Sequence, residues 1–111
     1  LEWHRARMAE LFRRYDLLLT PTNAVTAFPI ERWPETIDGT PVDGRWAFNP
    51  FCYSFNMTGQ PAASVPCGFS REGLPVGLHI VGRVGDEATV LRASAAFEEA
   101  RPWAGHRPPV S

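Results

Sequence analysis

Proline and glycine divide this chain into apolar runs too short for long helices. Three such runs, at 17–20, 62–66 and 76–82, each begin or end next to one of these residues, and the 11 Pro and 9 Gly make up about 18% of the 111 residues, above their usual combined share of about 12%. Short apolar runs between turn residues favour buried strands. We expect the first run to be buried on both faces and to end at Pro21, which has no amide hydrogen to donate.

Helical patterns separate these strands. Residues 1–15 carry apolar side chains at helical spacing, which predicts an amphipathic helix. Asn49 and Pro50 match a helix start, with a side-chain oxygen at the N-cap and proline at the first position, and Gly59 suits the end of that helix. Asp86 is the expected N-cap of a last, alanine-rich helix that ends near residue 100.

The predicted order is helix, strand, loop, helix, strand, strand, helix. It indicates an α/β fold with a few strands of one sheet flanked by helices, and residues 1–111 read as a single partial domain. The last two strands are expected to form a hairpin. Residues 21–46 have no clear period and are read as an irregular excursion, with a turn near Asp38 and Gly39. Three short strands leave a sheet edge open, so a larger sheet is the simpler account.

Composition excludes several classes of protein. The chain has 11 basic and 12 acidic residues and a net charge of −1, which argues against direct nucleic-acid binding. Its apolar runs are shorter than the roughly 20 residues of a membrane helix, and no secretion leader is visible. Two cysteines form no metal-binding or disulfide pattern. We therefore expect a cytoplasmic protein without a membrane segment, metal or cofactor.

The sequence contains no recognisable set of catalytic residues. It has no G-x-S-x-G nucleophile motif and no phosphate-binding loop. All 11 basic residues are arginine, so a reaction that needs a lysine base cannot be completed within the chain. His79 fits a partly buried structural histidine better than a base, because no nucleophile accompanies it. Cys67 reads as an inert thiol, with a reactive one as the alternative.

Three blocks of sequence nevertheless carry a specific pattern. Residues 55–69 read FNMTGQPAASVPCGF, residues 73–82 read GLPVGLHIVG, and residues 15–22 read YDLLLTPT. Together they resemble the C-terminal segment of the amidase signature family, whose second block reads G-L-P-V-G-L-Q-I-V-G. The resemblance covers nearly the whole chain except residues 23–46. Residue 1 is Leu, and we expect the chain to be the C-terminal part of a longer amidase.

The resemblance implies an enzyme that hydrolyses carboxylic amides to an acid and ammonia or an amine. Members of the family use a Ser–Ser–Lys triad, which would lie outside this chain, so the isolated chain should be inactive and hold no catalytic residue. Its expected partners are the N-terminal portion of the same amidase and a small amide substrate, and a homodimer stays open. The residues expected to form a wall of the substrate pocket are Asn49, Phe51, Cys52 and Tyr53.

Two alternatives accompany this interpretation. Amidotransferase A subunits, which use glutamine on misacylated tRNA, tend to carry Asp near the position of Asn49, so the neutral Asn49 favours a general amidase over a fragment of such a subunit. The chain could also be a stand-alone, amidase-like module for interaction or oligomerisation. A stand-alone module should be well folded with a protected sheet edge, whereas a fragment should be poorly soluble without the rest of the enzyme.

Overall fold

The computed structural model describes residues 1–110 and contains four helices and five strands. In chain order they are α1 (Glu2–Arg14), β1 (Leu17–Pro21), β2 (Thr36–Ile37), β3 (Thr40–Pro41), α2 (Gly44–Ala47), α3 (Pro50–Thr58), β4 (Ala62–Phe69), β5 (Pro75–Gly82) and α4 (Glu87–Ala100). The predicted α/β class is confirmed. Among the described helices, none combines the length and apolar character needed to cross a bilayer.

The main sheet has three antiparallel strands in the order β1-β5-β4. Strands β4 and β5 form the predicted hairpin, with a bulge between Pro66 and Gly68. Strand β1 lies at an edge, and its Leu19 is 56% exposed. The prediction that this strand is buried on both faces was therefore wrong. The reason is that α4 packs mainly over β4 and β5, so the outer part of β1 has no helix above it.

The excursion at 21–46 is mostly irregular, as predicted, but it contains a small two-stranded ribbon. Strands β2 and β3 pair across a tight turn. Asp38 and Gly39 in that turn have φ of 49° and 75°, which is the left-handed pair typical of a type I′ hairpin. The predicted turn is therefore confirmed. Helix α2 follows, and the Asp43 side chain accepts a hydrogen bond from the Arg45 amide at its start.

The two predicted N-caps differ. Asp86 caps α4 by accepting hydrogen bonds from the amide and the hydroxyl of Thr89. Asn49 is the N-cap residue of α3 and Pro50 is its first residue, as predicted. The Asn49 side chain makes no capping hydrogen bond, however, and its Oδ1 is buried without a hydrogen-bond partner. Gly59 ends α3 with φ of 83°, as predicted.

Side chains on the three strands divide between two faces of the sheet, because directly paired residues of antiparallel strands point to the same side. The helix-packed face is apolar: Val65 and Ile80 are buried against Val90 of α4, with Phe97 and Trp103 at its border. The opposite face, which we call the cleft face, lies toward α1 and α3. The core therefore consists of two apolar clusters, one on each side of the sheet.

Candidate functional site

The cleft face has two unlike halves. Near α1, Leu18 and Val81 pack with Phe12 of α1 and Phe55 of α3 in a closed apolar cluster. Toward the other end of the strands the side chains become polar, and we call this set the polar row. The polar row consists of Thr20, Thr22, Ser64 and His79. The change occurs within one sheet, where Thr20 and Ser64 are the ladder partners of His79 on either side.

His79 is the buried member of the polar row, with 6% of its surface exposed. Its Nδ1 lies 3.2 Å from the Thr20 hydroxyl, and its ring meets the Phe55 ring edge-on at 5.5 Å between centroids. Burial lowers the pKa of His79 from its ordinary value of 6.5, because the charged imidazolium loses hydration. The His79 imidazole is thus held between a hydroxyl and an aromatic ring, and its burial disfavours the protonated form.

A second hydroxyl pair lies farther along the row, where Thr22 Oγ1 and Ser64 Oγ are 2.7 Å apart. Gly77 of β5 lies directly beneath them. A Cβ at Gly77 would be 2.6 Å from Ser64 Oγ and 2.8 Å from Thr22 Oγ1. The missing side chain at Gly77 is therefore what allows the Thr22 and Ser64 hydroxyls, on either side of β5, to meet across it.

A cavity of about 390 Å³ opens beside this pair. One wall is the chain segment that leaves β1, and the other is the start of β5. Two backbone hydrogen bonds hold the first wall in place: the Thr22 amide donates to Gly77 O at 3.1 Å, and the Ala24 amide donates to Phe48 O at 2.8 Å. The lining is formed by residues 22–28, Phe48, Ser64 and residues 75–77.

Two aromatic rings, Phe28 and Phe48, belong to the lining of the cavity. Phe28 and Phe48 meet edge-to-face at 5.4 Å between centroids. Trp33 packs on both, at 5.9 Å from Phe28 and 5.8 Å from Phe48. Such contacts fix ring orientation in addition to burying area. The excursion therefore supplies two of the three rings, and it forms a defined wall although it has little regular structure.

None of the four residues predicted to form the pocket wall is among the residues that line this cavity. Cys52 contacts one lining residue, since its Sγ lies 3.5 Å from Thr22 O. The Tyr53 hydroxyl donates to Trp46 O at 3.1 Å, and Phe51 is half-buried on α3. Asn49 carries the Oδ1 that is buried without a hydrogen-bond partner. Their assignment to a substrate pocket stays a prediction.

The residues that do line the cavity were not singled out by sequence reasoning. Thr22 lies just beyond β1 and two residues after Thr20, and this spacing is a signal that both hydroxyls share a face. Ser64 and Gly77 become relevant only through the strand register. Elsewhere, Cys67 Sγ lies 3.4 Å from Val76 O. Within residues 1–110, no cluster of three or more His, Cys, Asp or Glu side chains could hold a metal ion.

Comparison with known proteins gives one consistent result. The model of the Amidase family matches residues 2–91. The glutamyl-tRNA(Gln) amidotransferase A subunit from Brevibacillus brevis is 42% identical over 106 residues, which cover 88% of this chain and 19% of that protein. An acylamidase from Rhodococcus erythropolis is 41% identical over 95 residues, which cover 85% of this chain and 20% of that enzyme.

A solved structure agrees with the sequence matches. A bacterial aryl acylamidase of the amidase signature family superposes with a TM-score of 0.81 and 35% identity, over 95% of this chain and 23% of that one. The chain thus spans about a fifth of the length of the curated relatives described above. The family match extends from α1 into α4 and contains every strand of the sheet. On this evidence, the chain belongs to the amidase signature family.

Proposed function

We propose that this chain forms a scaffold and one wall of the substrate pocket in an enzyme that hydrolyses carboxylic amides to an acid and ammonia or an amine. The observation that carries the proposal is the cavity on the polar half of the cleft face, in a chain of the amidase family. It lies where two hydroxyls and an aromatic wall converge, which is the usual composition of a small-molecule pocket.

The nucleophile and base of this reaction come from residues outside the chain. All 11 basic residues here are arginine, and an arginine side chain stays protonated and cannot serve as a base. Ser64 is hydrogen-bonded to the Thr22 hydroxyl, while His79 Nδ1 contacts Thr20. The two side chains are therefore each engaged by a threonine. The resemblance implies that a Ser–Ser–Lys triad performs the reaction in the complete enzyme.

Open sheet edges support this division of labour. The sheet ends at β1 on one side and at β4 on the other, and unpaired strand edges favour pairing with further strands. We propose that the preceding portion of the same amidase is the partner that packs there. The isolated chain then provides binding surface without turnover.

A test is to exchange segments between relatives. The acylamidase of Rhodococcus erythropolis, with its equivalent segment replaced by this chain, should hydrolyse simple aliphatic and aryl amides. The acylamidase with that segment deleted is the matched control and should be inactive, as should this chain alone. A chimera that unfolds in one cooperative transition but releases no ammonia or amine from any amide would contradict the proposal.

The alternative is a component of a glutamine-dependent amidotransferase. The amidotransferase A subunit described above and the acylamidase have almost the same identity to this chain. The neutral Asn49 favours the general amidase, because a carboxylate would be the better partner for the ammonium group of glutamine. Ammonia release from glutamine and from propionamide should be measured on the same chimera. A strict preference for glutamine would remove the general-amidase proposal in favour of the alternative.

A further inference from the structure

We propose that the cavity beside Thr22 and Ser64 receives an uncharged aromatic substituent of the amide substrate, and that Phe28 and Phe48 determine this specificity. The inference rests on the proposed function, because it identifies what the pocket wall selects. It assigns a substrate class to two residues that lie outside the three sequence blocks that carry the family resemblance, since Phe28 lies within the excursion and Phe48 follows it.

The lining of the cavity is uncharged. None of the twelve residues that line the cavity has a charged side chain. A substrate ammonium or carboxylate placed there would lose hydration without gaining an ionic partner from this wall, and uncompensated burial of a charge is unfavourable by several kcal/mol. An uncharged group meets no such penalty. The wall therefore discriminates against free amino acids and their amides.

The lining of the cavity contains two aromatic side chains, Phe28 and Phe48. Phe28 and Phe48 are only half-buried, although Trp33 packs on both rings. Each ring is thus held by aromatic neighbours and keeps part of its surface exposed. Because Ala24 is hydrogen-bonded to Phe48 O, the wall is held before a ligand arrives. A substrate ring can add to this cluster with the edge-to-face or offset geometry that aromatic pairs prefer.

The volume of the cavity and the pairing of its two hydroxyls also suit an aryl group. The volume of about 390 Å³ lies within the roughly 300–1,000 Å³ of small-molecule pockets. It accommodates a phenyl ring with its linking atoms. The Thr22 and Ser64 hydroxyls bond to each other, so an apolar group beside them leaves neither one without a partner. The Thr22–Ser64 pair therefore does not oppose the binding of an aryl group in the cavity.

The first test compares two amides that differ by one ammonium group. In the chimera described above, kcat/KM for 3-phenylpropionamide should exceed that for phenylalaninamide, with its amine protonated, on the order of a hundredfold. Propionamide, which lacks the ring, serves as the size control and should be the poorer uncharged substrate. Equal rates for the two phenyl compounds would overturn the proposal.

The second test changes the wall. Phe28→Leu should lower kcat/KM for 3-phenylpropionamide about fivefold more than it lowers kcat/KM for propionamide, because only the phenyl compound loses the ring contact. Phe69→Leu is the matched control, because Phe69 is an exposed aromatic residue outside the cavity lining. An equal loss on both substrates in Phe28→Leu would show a structural role only and would overturn the assignment.

The third test introduces a charge. Ala27 is an exposed loop residue that lines the cavity, so a larger side chain can be accommodated there. Ala27→Asp should raise kcat/KM for phenylalaninamide relative to 3-phenylpropionamide by about tenfold or more, since it supplies the missing counter-charge. Ala27→Asn, which has the same size without the charge, should not. An identical ratio in the two variants would contradict the proposal.

Binding is measured separately from turnover with 4-phenylbutan-2-one, the methyl ketone that replaces the amide of 3-phenylpropionamide and cannot be hydrolysed. In ligand-detected NMR, its ring protons should receive saturation from the chimera, and Phe28→Leu should weaken that signal. If propionamide is hydrolysed but the ketone does not bind, the specificity proposal alone fails. If the ketone binds at Phe28 while no amide is hydrolysed, the proposed function fails and the aromatic site stands.

Discussion

The helix-packed face of the three-stranded sheet is apolar, whereas only the half of the cleft face near α1 is apolar. On the helix-packed face, Ile80 of β5 is 2% exposed, against Val65 and Val90. On the cleft face the next residue toward the start of the strand, His79, faces Thr20, and beyond it Gly77 faces two hydroxyls. The difference shows that alternate residues of the same strand serve different purposes. One set packs against α4, and the other combines the apolar cluster around Val81 with a lined cavity.

The largest expected effect comes from the helix-packed face. Ile80→Ala should lower the free energy of unfolding by about 3–4 kcal/mol, because it deletes three buried carbons from a closed cluster. Urea unfolding of the full chain in its assembled form is the measurement, and Ile80→Val, expected to cost about 1 kcal/mol, is the graded control. A loss below about 1 kcal/mol for Ile80→Ala would mean that this face is not the main source of stability.

Two glycines of β5 permit a matched comparison of the faces. At Gly82, an added Cβ would be 2.6 Å from Val90 Cγ2 in the packed cluster, whereas at Gly77 it would meet two hydroxyls next to the cavity. We expect Gly82→Ala to cost about 2–3 kcal/mol by overpacking and Gly77→Ala about 1 kcal/mol, since the hydroxyls can rotate. Thermal unfolding of both variants measures this difference.

The reverse ranking of Gly82→Ala and Gly77→Ala would break the comparison. The activity of the chimera should show the opposite order. Gly77→Ala displaces the Thr22–Ser64 pair and should lower kcat/KM more than Gly82→Ala does.

The buried His79 should make stability depend on pH. Because its folded-state pKa lies below 6.5, the unfolded chain binds more protons between the two pKa values, and the folded state loses stability as pH falls through that window. Above it, this contribution is fully present. Urea midpoints between about pH 5 and 7.5 should therefore decline on acidification. His79→Gln, which restores the residue of the family pattern, should reduce the decline, and an unchanged slope would contradict this account.

The smallest effect on stability is expected at the exposed end of the polar row. Ser64→Ala removes the partner of the Thr22 hydroxyl, but Ser64 is exposed, so water can replace the lost bond. The free energy of unfolding should change by less than about 1 kcal/mol. Ser64→Cys keeps the size of the side chain and serves as the control. A loss larger than that of Gly77→Ala would show that the row is a structural element.

Local signals in the sequence predicted most of the fold. The Asp38–Gly39 turn, the Gly59 helix end and the Asp86 cap each depend on a few neighbouring residues, and all three are confirmed. The prediction for β1 was wrong because its burial depends on where α4 lies across the sheet. The helix start at Asn49 and Pro50 is confirmed, whereas the capping hydrogen bond from the Asn49 side chain is absent.

The candidate site was harder to predict for a related reason. Thr22, Ser64 and Gly77 are distant in sequence, and they meet because the register of two strand pairs places them together. Phe28 lies within the excursion and Phe48 just after it, and the path of the excursion follows no periodic pattern. The sequence resemblance therefore identified the family, whereas the cavity and its aromatic wall required the three-dimensional structure.

The most direct test of the central claim is a crystal structure of the acylamidase chimera with 4-phenylbutan-2-one bound. The claim is that the polar half of the cleft face stays open to receive substrate. We predict that the phenyl ring lies between residues 22–28 and β5, in contact with Phe28 and Phe48. A structure in which protein side chains from the rest of the enzyme fill this cavity, and the ligand binds elsewhere, would contradict the account.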